Sequence, residues 1–406
     1  MEHDAHTPTA EPEGFRRATN LELFLDLVFV FVVTQLATMI SHDPTLGGFA
    51  RGGLVAWLSW WLWSQFVWAG TTVDLEKNRA AQVIVLATVP LALLMGIALP
   101  NAYHGSGRLF GTAYMLVQIA ALVIQGRDMW REPSRRATFL AYATVASVGP
   151  ALVAVGGFIG ESLRAPIWIV AAIAGVVGAI ASGRSRANRT AGEWKIDPGH
   201  FSERHALFVI ISLGEVLVAA GATAFGLTSQ EHAIVGLTAS GFVASVLWWS
   251  YFAYIPKLAE HALASAEGQR RATIARDMFS FGHFPLVFGL ILFAVVIKHV
   301  VKDPYHLLPT ADAYVLIAAV ALVIGGFMVF HALYNRGVAV ERPSALVVIA
   351  LVVMGAHTHI SGAVLITAVG VILLGMHALT VRRLERRLAE GRARMSAEAA
   401  SDHPSD

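Results

Sequence analysis

Between Asn20 and Thr380 apolar residues arrive in long blocks separated by short polar stretches. Each block is near the ~20 residues that a helix needs to cross ~30 Å of hydrocarbon. The pattern predicts helices near 20–40, 53–72, 80–99, 108–126, 137–159, 165–183, 204–225, 232–255, 278–299, 312–334, 344–358 and 362–380. The last pair needs a tight turn near His357–Gly362. Residues 1–15 are polar and contain proline, so a disordered tail is expected there. From Val381 to about Glu398, Arg, Glu, Ala and Leu alternate at helical spacing, which predicts a solvated or membrane-surface helix continuing the last span. The expected fold is an all-α, polytopic transmembrane bundle of about twelve helices.

Composition agrees with this pattern. Hydrophobic residues make up 56% of the chain and charged ones only 14%, against about 25% charged in soluble domains. A soluble protein has no use for so many uninterrupted apolar helices. Glu2, Asp4, Glu11 and Glu13 precede the first block, and Glu22 and Asp26 lie within it. A cleaved signal peptide wants a basic start and a clean apolar core, so the block reads as a retained span. With no cysteine, disulfides, thiolate metal sites and cysteine nucleophiles are excluded.

Charge placement says more than the net charge of +2. Alternating the predicted spans puts 25 of the 30 Lys and Arg residues on the side of the N-terminus. Arg51, Arg108, Arg164, Lys298 and Lys302 fall on the other side. Cytoplasmic loops carry such an excess, so both termini are expected in the cytoplasm of a bacterial inner membrane.

The two halves resemble each other in order. Tyr114–Gly126 (YMLVQIAALVIQG) and Tyr314–Gly326 (YVLIAAVALVIGG) share seven of 13 positions. Trp61–Ala69 parallels Leu247–Ile255, Pro90-Leu91 parallels Pro285-Leu286, and Glu22 parallels Glu203. Two tandem six-helix repeats are expected, over 16–196 and 197–380, followed by a basic cytoplasmic helix and tail over 381–406. An even number of spans per half makes the halves face the same way, about an axis along the membrane normal. Their interface is a natural place for an ion or substrate path.

Few residues in these blocks carry chemistry. Glu22 and Asp26 are i, i+4 neighbours on one helix face. Glu22 suits the first turn of a helix capped by Thr19 or Asn20. Asp26 lies deeper, where an acid costs roughly 2.5–3.5 kcal/mol and needs a partner or a wet cavity. It reads as a proton or cation carrier, or else as a partner for Arg17 or another basic group. Glu203 and Arg204 open a later span, as a capping pair in the plainest reading, beside His205. Glu215 lies about 18 Å further along that helix, near the midplane, and Gly214 would let a neighbouring backbone approach it. A midplane Glu reads first as a functional residue and second as a buried carboxyl joining two helices. Glu22, Asp26, Glu203, Glu215 and His205 are therefore the candidate ion, proton or substrate path. Trp61, Trp63, Trp248, Trp249 and His283 are candidates to line a cavity, since an interfacial belt does not explain aromatics along a whole span. The histidines show no HExxH or HxxxH spacing, so no metal site is expected. Phosphate loops, nucleophile elbows and nucleic-acid motifs are absent too, so neither a cofactor nor an enzyme is expected.

The run Glu22-Leu-Phe-Leu-Asp26-Leu-Val-Phe-Val-Phe, followed by Thr34-Gln35-Leu36-Ala37, resembles the opening signature of the low temperature requirement protein A family. Glu203-Arg204-His205 through Gly214-Glu215 resembles its second signature. Leu25 departs from the pattern, in which a second Phe is common before the Asp. The resemblance spans 16–380 and implies an integral membrane protein linked by its family name to bacterial growth in the cold. It assigns no reaction. Proton-coupled, cation or small-solute transport is the leading expectation. The alternative is a non-transport protein supporting cold adaptation through lipid or partner contacts. Its surroundings are the lipid bilayer, and nucleic acid is not an expected partner.

Overall fold

Thr19 starts the first helix with a reciprocal cap: its hydroxyl accepts from the Glu22 N–H, and the Glu22 carboxylate accepts from the Thr19 N–H. Thr45, Asn78, Asp197 and Ser229 cap four later helices in the same way, with a side-chain oxygen accepting the third N–H. The computed structural model describes residues 16–130, 133–184, 196–335 and 341–401. In the first half these form α1 (Asn20–His42), α2 (Leu46–Thr72), α3 (Arg79–Ala98), α4 (Gly107–Met129), α5 (Pro133–Phe158) and α6 (Glu161–Arg184). In the second half they form α7 (Pro198–Phe225), α8 (Gln230–Phe252), the short α9 (Ile255–Ala264) and α10 (Gly268–Ile274), and α11 (His283–Lys302). α12 (Thr310–Asn335), α13 (Glu341–Ala356) and α14 (Gly362–Ser401) complete the chain. A π-helical segment, Ala275–Phe281, joins α10 to α11.

Every predicted span falls on a helix, and among the described residues no strand forms. Among those described residues ten helices are long and apolar enough to cross a membrane. α2 and α13 fall short of that standard. α2 is rich in Trp, Ser, Gly and Gln, which lower its hydropathy, and α13 has only 16 residues. α14 runs unbroken past the predicted end of its span to Ser401. The tail predicted to be disordered, and the loop cations Arg131, Arg186, Arg189, Lys195 and Arg336, lie outside the described residues.

Burial separates centre from periphery. The span containing α11 is 72% buried, whereas those of α5 and α6 are 22% and 17% buried. α11 is apolar all round, and such a helix belongs inside. It packs on α1, α2, α7, α8 and α12, while α1 also meets α2, α3 and α7.

Loop contacts define two ends of the bundle. At the end holding Arg16, the Arg16 N–H donates to Asp197, its guanidinium donates to the Gly70 carbonyl, and Arg271 donates to Ile196. At the far end Tyr103 donates to the Arg51 carbonyl and Tyr305 to Glu231. The five basic residues that sequence placed at this far end each have a local role. Arg51 pairs with Asp43, whose carboxyl is held below the usual range by hydrogen bonds from Thr45 and Arg51. Arg108 lies over the Phe158 ring, Lys298 faces Glu215 electrostatically, and Lys302 borders a surface recess with Asp303 and His306.

Arg164 is the most constrained of the five. It is 5% exposed, and its guanidinium donates to the carbonyls of Gly156, Gly157, Ile159, Ala102 and His104. It thereby satisfies the last carbonyls of α5 and places its charge at that helix's negative end. Arg164→Met should lower stability by roughly 3 kcal/mol or more, because several buried carbonyls lose their donor. Thermal unfolding in detergent micelles checks this, and an unchanged midpoint would remove the assigned role.

Candidate functional site

Glu22 and Asp26 stand one turn apart on α1, and both point at α7. Arg204 answers them. Its Nη2 and Nε donate to the two oxygens of Asp26 at 2.6 and 3.2 Å. Its Nη1 lies 2.9 Å from Glu22, an ion pair outside hydrogen-bond alignment. Trp63 of α2 donates to Asp26 at 2.8 Å. His200 Nε2 lies between Glu22, at 3.0 Å, and the Arg16 guanidinium, at 3.2 Å. All three charged side chains are fully buried. Arg16 completes the set at 4.0 Å from Glu22, so two acids meet two guanidiniums. Gly70 of α2 permits this approach, since a Cβ there would sit 2.7 Å from the Glu22 carboxylate.

The plain reading of Glu203 and Arg204 as a capping pair therefore gives way. The two residues diverge: Arg204 turns into the bundle, and Glu203 accepts from the Ala18 N–H at 2.7 Å. Asp26 has a basic partner, and that partner is Arg204.

A second polar tier lies farther along the same helices. Thr34 of α1 donates to the Glu215 carboxylate of α7, which is 1% exposed. Lys298 of α11, half-buried, is the cation acting on Glu215. Gly214 does not serve close helix contact, because a Cβ there would meet nothing within 4 Å. Contacts at Glu22–His200, Asp26–Arg204 and Thr34–Glu215 rise together along both helices. α1 and α7 therefore run parallel. Asp26 and Thr34 are eight residues apart, so the tiers are separated by about 12 Å of helix.

His205 and His283 lie beside the first tier. His205 Nδ1–H donates to the Phe201 carbonyl. His283 Nδ1–H donates to the Met278 carbonyl, and its Nε2 accepts from Tyr251. The two rings are 5.1 Å apart between centroids, in a cluster with Trp60, Trp63 and Phe279. The π-helical segment passes here, and Ser280 anchors α2 by accepting from Trp60 and Trp68.

The aromatic candidates divide. Trp63 serves the ion-pair tier, and Trp61 stacks on Phe281 and Trp57. Trp248 and Trp249 are 50% and 45% exposed and turn to the outer surface, where Trp248 stacks on Phe252 and Trp249 meets His377. They do not line an interior cavity: both are half-exposed, and Trp249 packs on α14 through His377 at the bundle's outer face. His283 is packed against Phe279 and Phe330. Among the described residues no group of three or more His, Asp or Glu is placed to hold a metal ion.

Sequence reasoning passed over His200, Arg204 as an interior cation, and Lys298. Lys298 had a signal: it interrupts the run Leu-Ile-Leu-Phe-Ala-Val-Val-Ile before the helix ends.

The profile of the bacterial low temperature requirement A protein (LtrA) matches residues 17–378. The chain belongs to the LtrA family. An uncharacterized protein of Rhizobium meliloti (strain 1021) is 30% identical over 316 residues, covering 75% of each chain. No solved structure matches this LtrA chain.

Arg204→Gln should destabilise the protein by about 3–5 kcal/mol, the cost of leaving buried carboxylates without their cation. Arg204→Gln combined with Asp26→Asn should cost less than the sum of the single changes, because the pair acts as a unit. A double-mutant cycle of unfolding in detergent reads both, and simple additivity would show that the contact carries no coupling.

Proposed function

We propose that this LtrA protein is a carrier that moves protons, or a small cation or solute coupled to them, across the bacterial inner membrane, with Glu215 as its titrating carboxylate. The observation that carries this reading is the contrast between the acids. Glu22 and Asp26 are neutralised by guanidiniums in a closed network, whereas Glu215 has one hydroxyl donor and a cation beyond ion-pair contact. A carboxylate enclosed in a bundle and so lightly held is suited to taking up and releasing a charge. The Arg204 network acts as the closed gate at the end holding Arg16.

The tandem-repeat reading supports this proposal. α1, α3, α4, α5 and α6 pack in the order α1–α3–α4–α5–α6, and α7, α11, α12, α13 and α14 pack in the matching order. α1 meets α2 as α7 meets α8, and α2 meets α6 as α8 meets α14. On that scheme α2 and α13 also cross the bilayer, giving two six-helix halves. The parallel course of α1 and α7 fits an even number of crossings per half. The excess of basic residues at the Arg16 end supports cytoplasmic termini. The second reading, a non-transport role through lipid or partner contacts, draws on the helical extension of α14 from Arg382 to Ser401.

Purified protein in vesicles should pass protons or a monovalent cation when a gradient is imposed, read with an internal pH dye or ion electrode. Glu215→Gln should reduce flux to that of empty vesicles, while the Ser401-end truncation from Arg386 onward should leave it intact. The carrier reading fails if native protein passes nothing, or if Glu215→Gln passes as much as native. Loss of cold growth on truncation, with Glu215→Gln growing normally, would establish the second reading instead.

A further inference from the structure

Between the two polar tiers, where α1, α2, α7 and α11 meet, the packing leaves a void of about 10 Å³. That is the lower limit for a single water molecule. Phe29 and Val33 of α1, Ser59 and Trp60 of α2, Phe208 of α7 and Phe284 of α11 are among its walls. Measured along each helix, these residues stand between Asp26 and Thr34, between Arg204 and Glu215, and on the far-end side of Trp63.

Two buried polar atoms here have no partner. Ser59 is 3% exposed and its hydroxyl makes no hydrogen bond. A helical serine can normally return its hydroxyl to the carbonyl four residues back, as Ser212, Ser240 and Ser250 do in this bundle. Ser59 instead borders the void. His205 is fully buried, and with Nδ1–H given to Phe201, its Nε2 lone pair is left without a donor. Trp60 touches both sites: it packs on His205 and walls the void. Buried polar atoms are almost always satisfied, and an orphan pair on either side of one aromatic ring calls for a visiting group.

We propose that this void is the waist of a proton route joining the Arg204 tier to Glu215. The inference rests on the carrier reading and narrows its coupling species to the proton. The site is sized for water and not for a hydrated cation or an organic solute. Widening it would pull Trp60 off the Ser280 carbonyl, to which it donates at 2.6 Å. Water in the waist takes the Ser59 hydroxyl as partner and reaches His205 Nε2 when the Trp60 ring tilts about its retained bond to Ser280. A proton taken up on Nε2 from the Arg16 end passes to that water as the water gives one of its own onward to the Glu215 carboxylate. One N–H and one O–H bond break as one O–H bond forms on the water and one on the carboxylate, and no electrons change hands.

Radiolytic hydroxyl-radical footprinting of the native chain in phosphatidylglycerol vesicles tests the waist directly, because radicals form from water at the site. With an imposed pH gradient the oxidation of Trp60 and Phe208, each 3% exposed, should rise well above its value without the gradient, while that of Trp168 and Phe110, buried in the α4–α6 region, should not. Ser59→Val, which fills the void and removes the hydroxyl, should lower dye-reported proton flux about tenfold, with unchanged elution on size exclusion. Ser59→Ala, which keeps the space, should lower it less. A gradient-driven rise at Trp60 and Phe208 no larger than at Trp168 and Phe110 overturns the waist while leaving the carrier reading standing. Native Ser59→Val flux does the same. Absence of any flux from the native chain removes the carrier reading itself.

Discussion

A guanidinium with no access to water sits between two carboxylates at the meeting of α1 and α7, and much of the bundle is arranged around that fact. Removing these charges from water is expensive, and only good geometry with further hydrogen bonds offsets it. The surrounding residues supply those bonds. Trp63 donates to Asp26, the Thr19 cap donates to Glu22, and His200 lies 3.0 Å from Glu22. Arg16 balances the charge from the chain just before α1. α2 can come close enough only because Gly70 has no side chain to strike Glu22. The register of α1 against α7 follows: a one-residue slip of either helix would turn a charge toward apolar neighbours with nothing to receive it.

That register also sets what happens farther along. With Asp26 opposite Arg204, Thr34 comes opposite Glu215 and receives its carboxylate. The two tiers differ in kind. The first is saturated with donors and cations, and saturation holds helices together. The second has one hydroxyl and a spaced lysine, a looser arrangement. Between them Phe29, Val33, Phe208 and Phe284 close an apolar constriction around a void barely large enough for water. α11 serves as the common wall, meeting α1, α2 and α7, and the π-helical segment before it brings Ser280 to the two tryptophans of α2.

Sequence readily revealed the long apolar helices, because an apolar block of bilayer length has few other uses. Asp26 and Glu215 stood out for the same reason, being acids where hydrocarbon is expected. The family followed from the two runs that hold them. Lys298 and Arg164 read as ordinary far-end charges, since charge counting treats every cation near a helix end alike. Trp249 matched Trp63 in the internal alignment, yet Trp249 turns outward and Trp63 inward. Matching letters do not carry matching neighbours.

By itself the sequence determined that this chain makes long apolar helices, where most of them start and stop, and which rare polar residues they bury. These are local properties of composition, caps and periodicity. Only the tertiary structure decided that Asp26 belongs to Arg204, that Glu215 belongs to Thr34 and Lys298, and that an apolar constriction separates them. Those pairings join residues from about 80 to about 180 positions apart, and they depend on the rotation and register of whole helices. Helix rotation about its own axis is set by packing against neighbours, which no single span encodes.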